Sequence, residues 1–272
     1  MFDNKLIVIT GGSSGLGKAL AQRFAGMGAN LALVARDRAK LERVRGELAS
    51  LCRPGRSVRT FPCDVSGHGA AVKTIDAIAA AMGAPGMLVN SAGILKEGYF
   101  ETLPPETFRH VMDINYFGTL YCTMAVMKHF RAARGGTLVN ISSLGGKMAS
   151  FGYTAYCSSK FALVGLTDTL RCELGPRGVR VHLVCPPEFD SPMVDELNTY
   201  RTVENRVLTQ TAPVLSIDRV ADETIAGIMN GRYLIIPGRA SRFLEALSRW
   251  FPGTSRMIVD ARVRNVYSGP SL

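Results

Sequence analysis

Tyr156 and Lys160 place a phenol and an ammonium four positions apart in the run Tyr156-Cys157-Ser158-Ser159-Lys160. If this stretch is helical, the two groups share one face, with Cβ atoms about 5–6 Å apart. A free phenol titrates at about 10, so it is a poor acid or base near neutrality. A fixed ammonium beside it favours the phenolate and is expected to draw that pKa toward the working range. Ser143 lies upstream, just beyond the apolar run Thr137-Leu138-Val139-Asn140-Ile141, and its hydroxyl could hold a carbonyl oxygen against the phenol. Tyr153 offers a second phenol, but four positions beyond it stands Cys157 rather than a lysine. Taken alone, Tyr-x-x-x-Lys is common on helix surfaces, so its meaning rests on the elements that position it.

The N-terminus supplies those elements. Lys5-Leu6-Ile7-Val8-Ile9-Thr10 is apolar and β-branched and reads as a buried strand. Gly11, Gly12, Ser13, Ser14, Gly15, Leu16 and Gly17 follow at once, and Lys18–Ala25 then has helical amphipathic spacing. Strand, glycine-rich turn and helix in that order make a dinucleotide-phosphate site. Glycines let the backbone approach a pyrophosphate, and the helix N-terminus presents free N–H groups and the positive end of its dipole.

Apolar strands and helices alternate along the rest of the chain. Strands are expected at 30–35, 57–62, 86–90, 136–142, 179–184 and 233–236, with helices at 38–51, 72–82, 106–134 and 154–174 between them. This alternation implies one α/β domain with a parallel sheet covered by helices on both faces. The composition agrees. The chain has 272 residues, 47% hydrophobic residues and 28 glycines, ordinary for a single α/β fold with tight turns. No apolar run approaches the length of a membrane span, and no signal peptide is expected. The six cysteines are scattered without a Cys-x-x-Cys pair, which reads as reduced thiols in a cytoplasmic protein with neither disulfides nor a metal site.

The motifs in register resemble the short-chain dehydrogenase/reductase family. The glycine turn matches that family's Thr-Gly-x-x-x-Gly-x-Gly, and Asn90-Ser91-Ala92-Gly93 matches its Asn-Asn-Ala-Gly with one substitution. The resemblance covers roughly residues 5–238. It implies a Rossmann-like doubly wound sheet of about seven parallel strands and a catalytic set of Asn115, Ser143, Tyr156 and Lys160. It also implies adenine contacts from Asp64 and Val65, and nicotinamide-side contacts from Asn90, Ala92, Gly93, Pro186, Phe189 and Ser191. Lys160 would bond the nicotinamide ribose as well as tune Tyr156, and Asn115 would support a water chain that returns the proton. Related enzymes dimerise through the helices expected at 106–134 and 154–174, so a homodimer or homotetramer is implied.

Cofactor choice turns on the end of the second strand. An acid there would hold a ribose 2′-hydroxyl; here Ala35 is followed by Arg36, with Arg38 and Lys40 close behind. A planar guanidinium suits a 2′-phosphate, so NADP(H) is expected in preference to NAD(H). Asp37 reads as a solvated acid or helix N-cap, and a solvated helix start is the alternative reading of the basic trio.

The substrate segment, about 187–215, departs from the family's usual Pro-Gly with Pro186-Pro187-Glu188-Phe189-Asp190-Ser191-Pro192. This form, with Phe151–Tyr156 before it and Val203–Leu208 after it, resembles the 3-ketodihydrosphingosine reductase branch. A lipid-like ketone is therefore expected, with a 3-oxoacyl thioester or a steroid as alternatives. A non-catalytic NADP(H)-binding sensor or scaffold is the alternative of another class.

The net charge is +10, and from Gly231 on seven arginines face two acids. Ser241–Phe251 reads as an amphipathic helix with Phe, Leu and Trp on one side. Residues 239–272 thus form a basic extension to a domain at 1–238. It would touch an anionic membrane at the cytoplasmic face, cover the cleft or contact another subunit. Nucleic acid is not expected as a partner, for no binding module is present.

Overall fold

The computed structural model of the chain describes residues 1–209 and 213–268. Parts of the expected substrate segment (210–212) and of the basic extension (269–272) lie outside the described residues. The chain opens with β1 (Leu6–Thr10), α1 (Gly15–Gly26), β2 (Asn30–Ala35), α2 (Arg38–Ala49), β3 (Val58–Pro62), α3 (His68–Met82) and β4 (Met87–Asn90). It continues through α4 (Pro105–Met112), α5 (Gly118–Ala132), β5 (Gly136–Ile141), α6 (Thr154–Leu174) and β6 (Val179–Val184). It closes with α7 (Pro192–Asn198), α8 (Val203–Thr209), α9 (Ile217–Met229), β7 (Leu234–Ile235), α10 (Arg239–Trp250) and α11 (Pro252–Tyr267).

The strands form one parallel sheet in the order β3-β2-β1-β4-β5-β6-β7, the doubly wound arrangement that the family resemblance implies. Two apolar layers cover it. One joins Ile7, Ile9, Leu31, Leu33 and Val139 to α1, α2 and α9. The other joins Val8, Ala32, Leu88 and Leu138 to α3 and α5. The side chains alternate between layers because successive strand residues point to opposite faces. The chain reverses its winding between β1 and β4, so the carboxyl ends of these neighbours open a crevice.

The expected helix at 106–134 runs unbroken from Pro105 to Ala132 but is not α-helical throughout. Asp113–Phe117 forms a π-helical turn between α4 and α5. The extra residue in that turn directs Asn115 inward, where it is fully buried. The last strand is shorter than expected, only Leu234–Ile235.

Behind the crevice a buried polar ladder ties β4 and β5 to α5 and α6. Asn90 Nδ2 donates to Thr123 Oγ1 at 3.1 Å and to Asn140 Oδ1 at 2.9 Å. Asn140 Nδ2 donates to Thr167 Oγ1 at 3.0 Å, and that hydroxyl donates to Leu163 O at 2.6 Å. Buried polar groups left without partners cost about 1–3 kcal/mol each. Asn140→Ala should therefore lower unfolding free energy by at least about 1–3 kcal/mol, whereas Met229→Ala at the exposed end of α9 should fall within about 0.5 kcal/mol of the parent. Equal denaturant midpoints for the two variants would show that the ladder does not hold the sheet.

Candidate active site

The crevice is bounded first by glycines. Gly11 (φ +68°) and Gly15 (φ +49°) adopt the left-handed conformation that disfavours side chains. A Cβ on Gly11 would stand 2.8 Å from Ala92 N and Ser91 O, and one on Gly17 would stand 2.3 Å from Gly11 O. Thr10 Oγ1 accepts hydrogen bonds from Ser91 N (3.1 Å) and Ala92 N (3.2 Å), drawing the loop after β4 against the glycine turn. Ser14 caps α1 without a side-chain hydrogen bond, and the first turn of α1 contains no acid. The N–H groups there thus face a cradle that a side chain would fill, which fits an anionic pyrophosphate.

Tyr156 and Lys160 lie on one face of α6, and both line the crevice with Ser143. Lys160 Nζ donates to Ile141 O at 3.1 Å and lies 5.7 Å from the centre of the Tyr156 ring. Ser143 Oγ accepts from Gly145 N at 3.0 Å, and its hydroxyl neighbours the Tyr156 phenol. Ser142 Oγ donates to Lys160 O, and Gly146 approaches so closely that a Cβ would lie 2.7 Å from the same carbonyl. α6 is thereby seated directly on the Ser142–Gly146 segment.

Asn115 reaches the site from behind. Its Oδ1 accepts from Ile94 N at 2.8 Å, while its Nδ2 donates to Ile94 O (3.0 Å) and Ser159 Oγ (2.9 Å). Ser159 Oγ in turn donates to Tyr156 O at 2.7 Å. A Cβ on Gly93 would stand 3.1 Å from Asn115 Oδ1 and 3.6 Å from Lys160 Nζ, so these groups converge below the crevice floor.

The Tyr156 phenol is raised rather than lowered, against the expectation from Lys160. Burial pushes its pKa well above the usual value, and the Ser143 hydroxyl offsets only part of this. Lys160 is itself lowered to about 8, chiefly by burial. The ammonium is bonded to a carbonyl and faces the ring, so desolvation outweighs its charge. The result is a phenol held protonated near neutrality, suited to giving a proton.

The other expected contacts divide into three groups. Ser14, Gly15, Leu16, Gly17, Gly93, Pro186, Phe189 and Ser191 line the crevice with Gly11. Arg36, Arg38 and Lys40 are exposed at the end of β2. Asp37 is the N-cap of α2, its carboxylate accepting from Lys40 N at 2.9 Å and standing 3.9 Å from the Lys40 ammonium. Burial opposes ionisation of Asp64, but its Ser66 hydrogen bonds and the nearby Arg36 charge keep the carboxyl below its usual range. Asn90, Val65 and Asn115 are buried, and none of them lines the crevice. The Asn90 side chain in particular is committed to the ladder between strands and helices.

The far wall contains residues that spacing did not single out. The crevice, about 460 Å³, continues past Tyr156 between Leu95, Met148, Met193, Leu208, Leu244 and Ile258. α10 and α11 fold back so that Leu244, Leu247, Ile258, Val259 and Arg262 join this wall, with α11 packed on α8. The expected single apolar stripe on α10 is split: Leu244 and Leu247 face the crevice, whereas Phe243 and Trp250 are exposed and Glu245 is buried. Arg201 and Glu188 form a half-buried pair beside Tyr153, joined at 2.5 and 3.0 Å. The segment is further bound by Glu97 to Thr202, by Asn205 Nδ2 to Phe151 O at 2.7 Å, and by Tyr99 to Glu204. The alternating pattern that locates strands and helices carries no signal for such loop pairs.

With this geometry, residues 5–202 match the short chain dehydrogenase family, and the chain belongs to that family of oxidoreductases. It is 35% identical over 244 residues to the 3-ketodihydrosphingosine reductase of Bos taurus, covering 89% of this chain and 74% of that one. Its fold matches a short chain dehydrogenase/reductase from Burkholderia phymatum in complex with NAD, with a TM-score of 0.81 at 25% identity over 91% of this chain and 94% of that one. It likewise matches a Sphingobium yanoikuyae short-chain dehydrogenase in complex with NADPH, with a TM-score of 0.76 at 25% identity over 98% and 96%.

Proposed function

We propose that the chain is an NADPH-dependent carbonyl reductase of a long-chain, lipid-like ketone, with 3-ketodihydrosphingosine reduced to dihydrosphingosine as its reaction. The observation that carries this reading is one crevice in which the glycine cradle, Ser143, Tyr156 and Lys160 meet a long apolar wall. The named relative from Bos taurus supports the choice of ketone.

In this reading Gly11, Ser13, Ser14, Gly15, Leu16 and Gly17 hold the pyrophosphate. Arg36, Arg38 and Lys40 hold a 2′-phosphate, and Asp64 and Val65 flank the adenine. Asn90 acts through its backbone, with Ala92, Gly93, Pro186, Phe189 and Ser191 around the nicotinamide. A reduced nicotinamide held there would supply the hydride for the carbonyl carbon. Ser143 donates to the carbonyl oxygen and fixes it, and Tyr156 gives that oxygen its phenolic proton. Lys160 stabilises the phenolate left behind, and Asn115 braces Ile94 and Ser159 beneath both groups.

Tyr156→Phe should lower kcat/KM for NADPH oxidation with a long-chain 3-ketone by about 10²–10⁴-fold. In the parent, the rate should hold below about pH 8 and fall above it, because Lys160 loses its proton there while Tyr156 keeps its own. Equal rates in the two proteins would remove Tyr156 from the mechanism. Arg36→Leu should weaken NADPH binding about tenfold or more, with NADH little changed. Parallel losses for both cofactors in fluorescence titrations would discard the 2′-phosphate assignment.

A peripheral membrane contact is a second part of the proposal. Phe243 (66%), Trp250 (70%), Phe251 (61%) and Met257 (70%) are exposed on the α10–α11 hairpin, among Arg239, Arg242, Arg249 and Arg256. Aromatic and basic side chains on one hairpin suit an anionic lipid surface. No helix among the described residues is long and apolar enough to cross a membrane. The parent should co-sediment with phosphatidylserine-containing vesicles at low salt, and Trp250→Ser/Phe251→Ser should reduce this. Unchanged sedimentation would end the membrane reading. The exposed Met124 on α5 and Phe161 on α6 support a homo-oligomer through those helices.

A further inference from the structure

Glu188 is the single carboxylate among the described residues that line the crevice. It stands two residues beyond Pro186, whose carbonyl accepts from Leu144 N at 2.8 Å, so its strand of wall is tied directly to the Ser143 segment. Phe189 and Leu215 form an isolated bridge, and Leu215 N donates to Glu188 O at 3.2 Å, which fixes the backbone on the other side. The side chain is equally constrained. Its two oxygens accept from Arg201 Nη1 (3.0 Å) and Nη2 (2.5 Å), with side-chain exposures of 18% for Glu188 and 4% for Arg201.

Tyr153 completes the group. Its hydroxyl lies 3.5 Å from Arg201 Nη2, and its ring stands edge-on to Tyr156 with centroids 5.6 Å apart. Burial pushes the Tyr153 pKa up to about 12, so this phenol stays neutral and can accept a hydrogen bond beside the proton donor. Arg201 Nε is buried without a partner.

An ion pair this far withdrawn from water adds little stability, since apolar residues of similar size would often do as well or better. Its location in a mostly apolar wall, one aromatic ring from Tyr156, therefore calls for a role in recognition. Arg201 occupies two of the roughly four lone-pair directions of the carboxylate. The remaining directions can accept N–H groups from a ligand in the crevice.

Resting on the reductase reading above, we propose that Glu188, oriented by Arg201 and flanked by the Tyr153 hydroxyl, forms a subsite for an amine on the carbon next to the reacting carbonyl. The pair makes the enzyme selective for 2-amino ketones over ketones that lack the nitrogen. Arg201 is a positioning residue, and Glu188 and Tyr153 touch the substrate. A hydroxyl offers this subsite one donor, and a methylene offers none. An amine or ammonium offers two or three donors and, when charged, complements the carboxylate.

The test measures binding and turnover separately. With NADP(H) present, calorimetry would compare a long-chain 2-amino-1,3-diol with the matching 1,3-diol that lacks nitrogen. The parent should bind the amine about tenfold to hundredfold more tightly. Glu188→Gln should bring that ratio close to one, and Tyr153→Phe, which keeps the ion pair, should reduce it severalfold. A parent ratio near one overturns the subsite. So does an unchanged ratio in both variants, or in Tyr153→Phe if Glu188→Gln does not fold. Reduction of the matching long-chain 3-ketones reads the underlying reaction independently. Reduction without amine preference overturns the subsite alone, whereas a Glu188-dependent amine preference without reduction of any ketone overturns the reductase reading and leaves the subsite standing.

Discussion

The contact on which the site depends is the approach of the glycine turn to the loop after β4. Thr10 Oγ1 accepts from Ser91 N and Ala92 N, and Gly11 lies so near that no side chain fits between them. This joins the carboxyl ends of β1 and β4 where the sheet reverses its winding. Gly17 allows α1 to start against Gly11 O, which sets its N-terminus over the crevice. The loop that follows brings Gly93 and Ile94 to Asn115, so one constraint carries both the anion cradle and the floor beneath Tyr156 and Lys160.

Around that contact the interior holds a set of hydrogen-bonded amides and hydroxyls. Asn90, Asn140, Thr123 and Thr167 link strands to helices, and Asn115, Ser159, Ser142 and Lys160 link the π-turn and β5 to α6. Directional bonds of this kind set helix position more tightly than apolar packing does, because a misplaced partner leaves a desolvated polar group. They also bury the functional side chains. Burial, rather than the neighbouring ammonium, governs the protonation of Tyr156, and it brings Lys160 to about 8. A buried neutral phenol beside a serine hydroxyl is matched to proton donation.

The second wall of the crevice is assembled from distant segments. Glu97 and Tyr99, residues 151–153, the Glu188–Arg201 pair and the hairpin of α10 and α11 meet there. Its inner surface is mostly apolar apart from Glu188 and Arg262, and its fixing bonds are ionic or polar. The outer surface of the hairpin presents Phe243, Trp250 and Phe251.

Strand and helix alternation, the glycine turn and the Tyr156–Lys160 spacing were legible in the sequence because each is a local periodicity or a short motif. The shared face of α6 and the cap at Asp37 follow from such local rules. The π-turn that turns Asn115 inward was hidden, since a single extra helical residue leaves the apolar pattern almost unchanged. So was the sign of the Tyr156 shift, because desolvation depends on every neighbour and spacing reports only one. The tail was readable as amphipathic, but its two faces separated only when Leu244 and Leu247 met the crevice and Phe243 and Trp250 met solvent. The sequence by itself determined the fold class and the chemical groups of the site, because those are written in residues close together along the chain. Tertiary structure alone decided their protonation and the far wall with Glu188 and Arg201, because both arise from groups that only folding brings into contact.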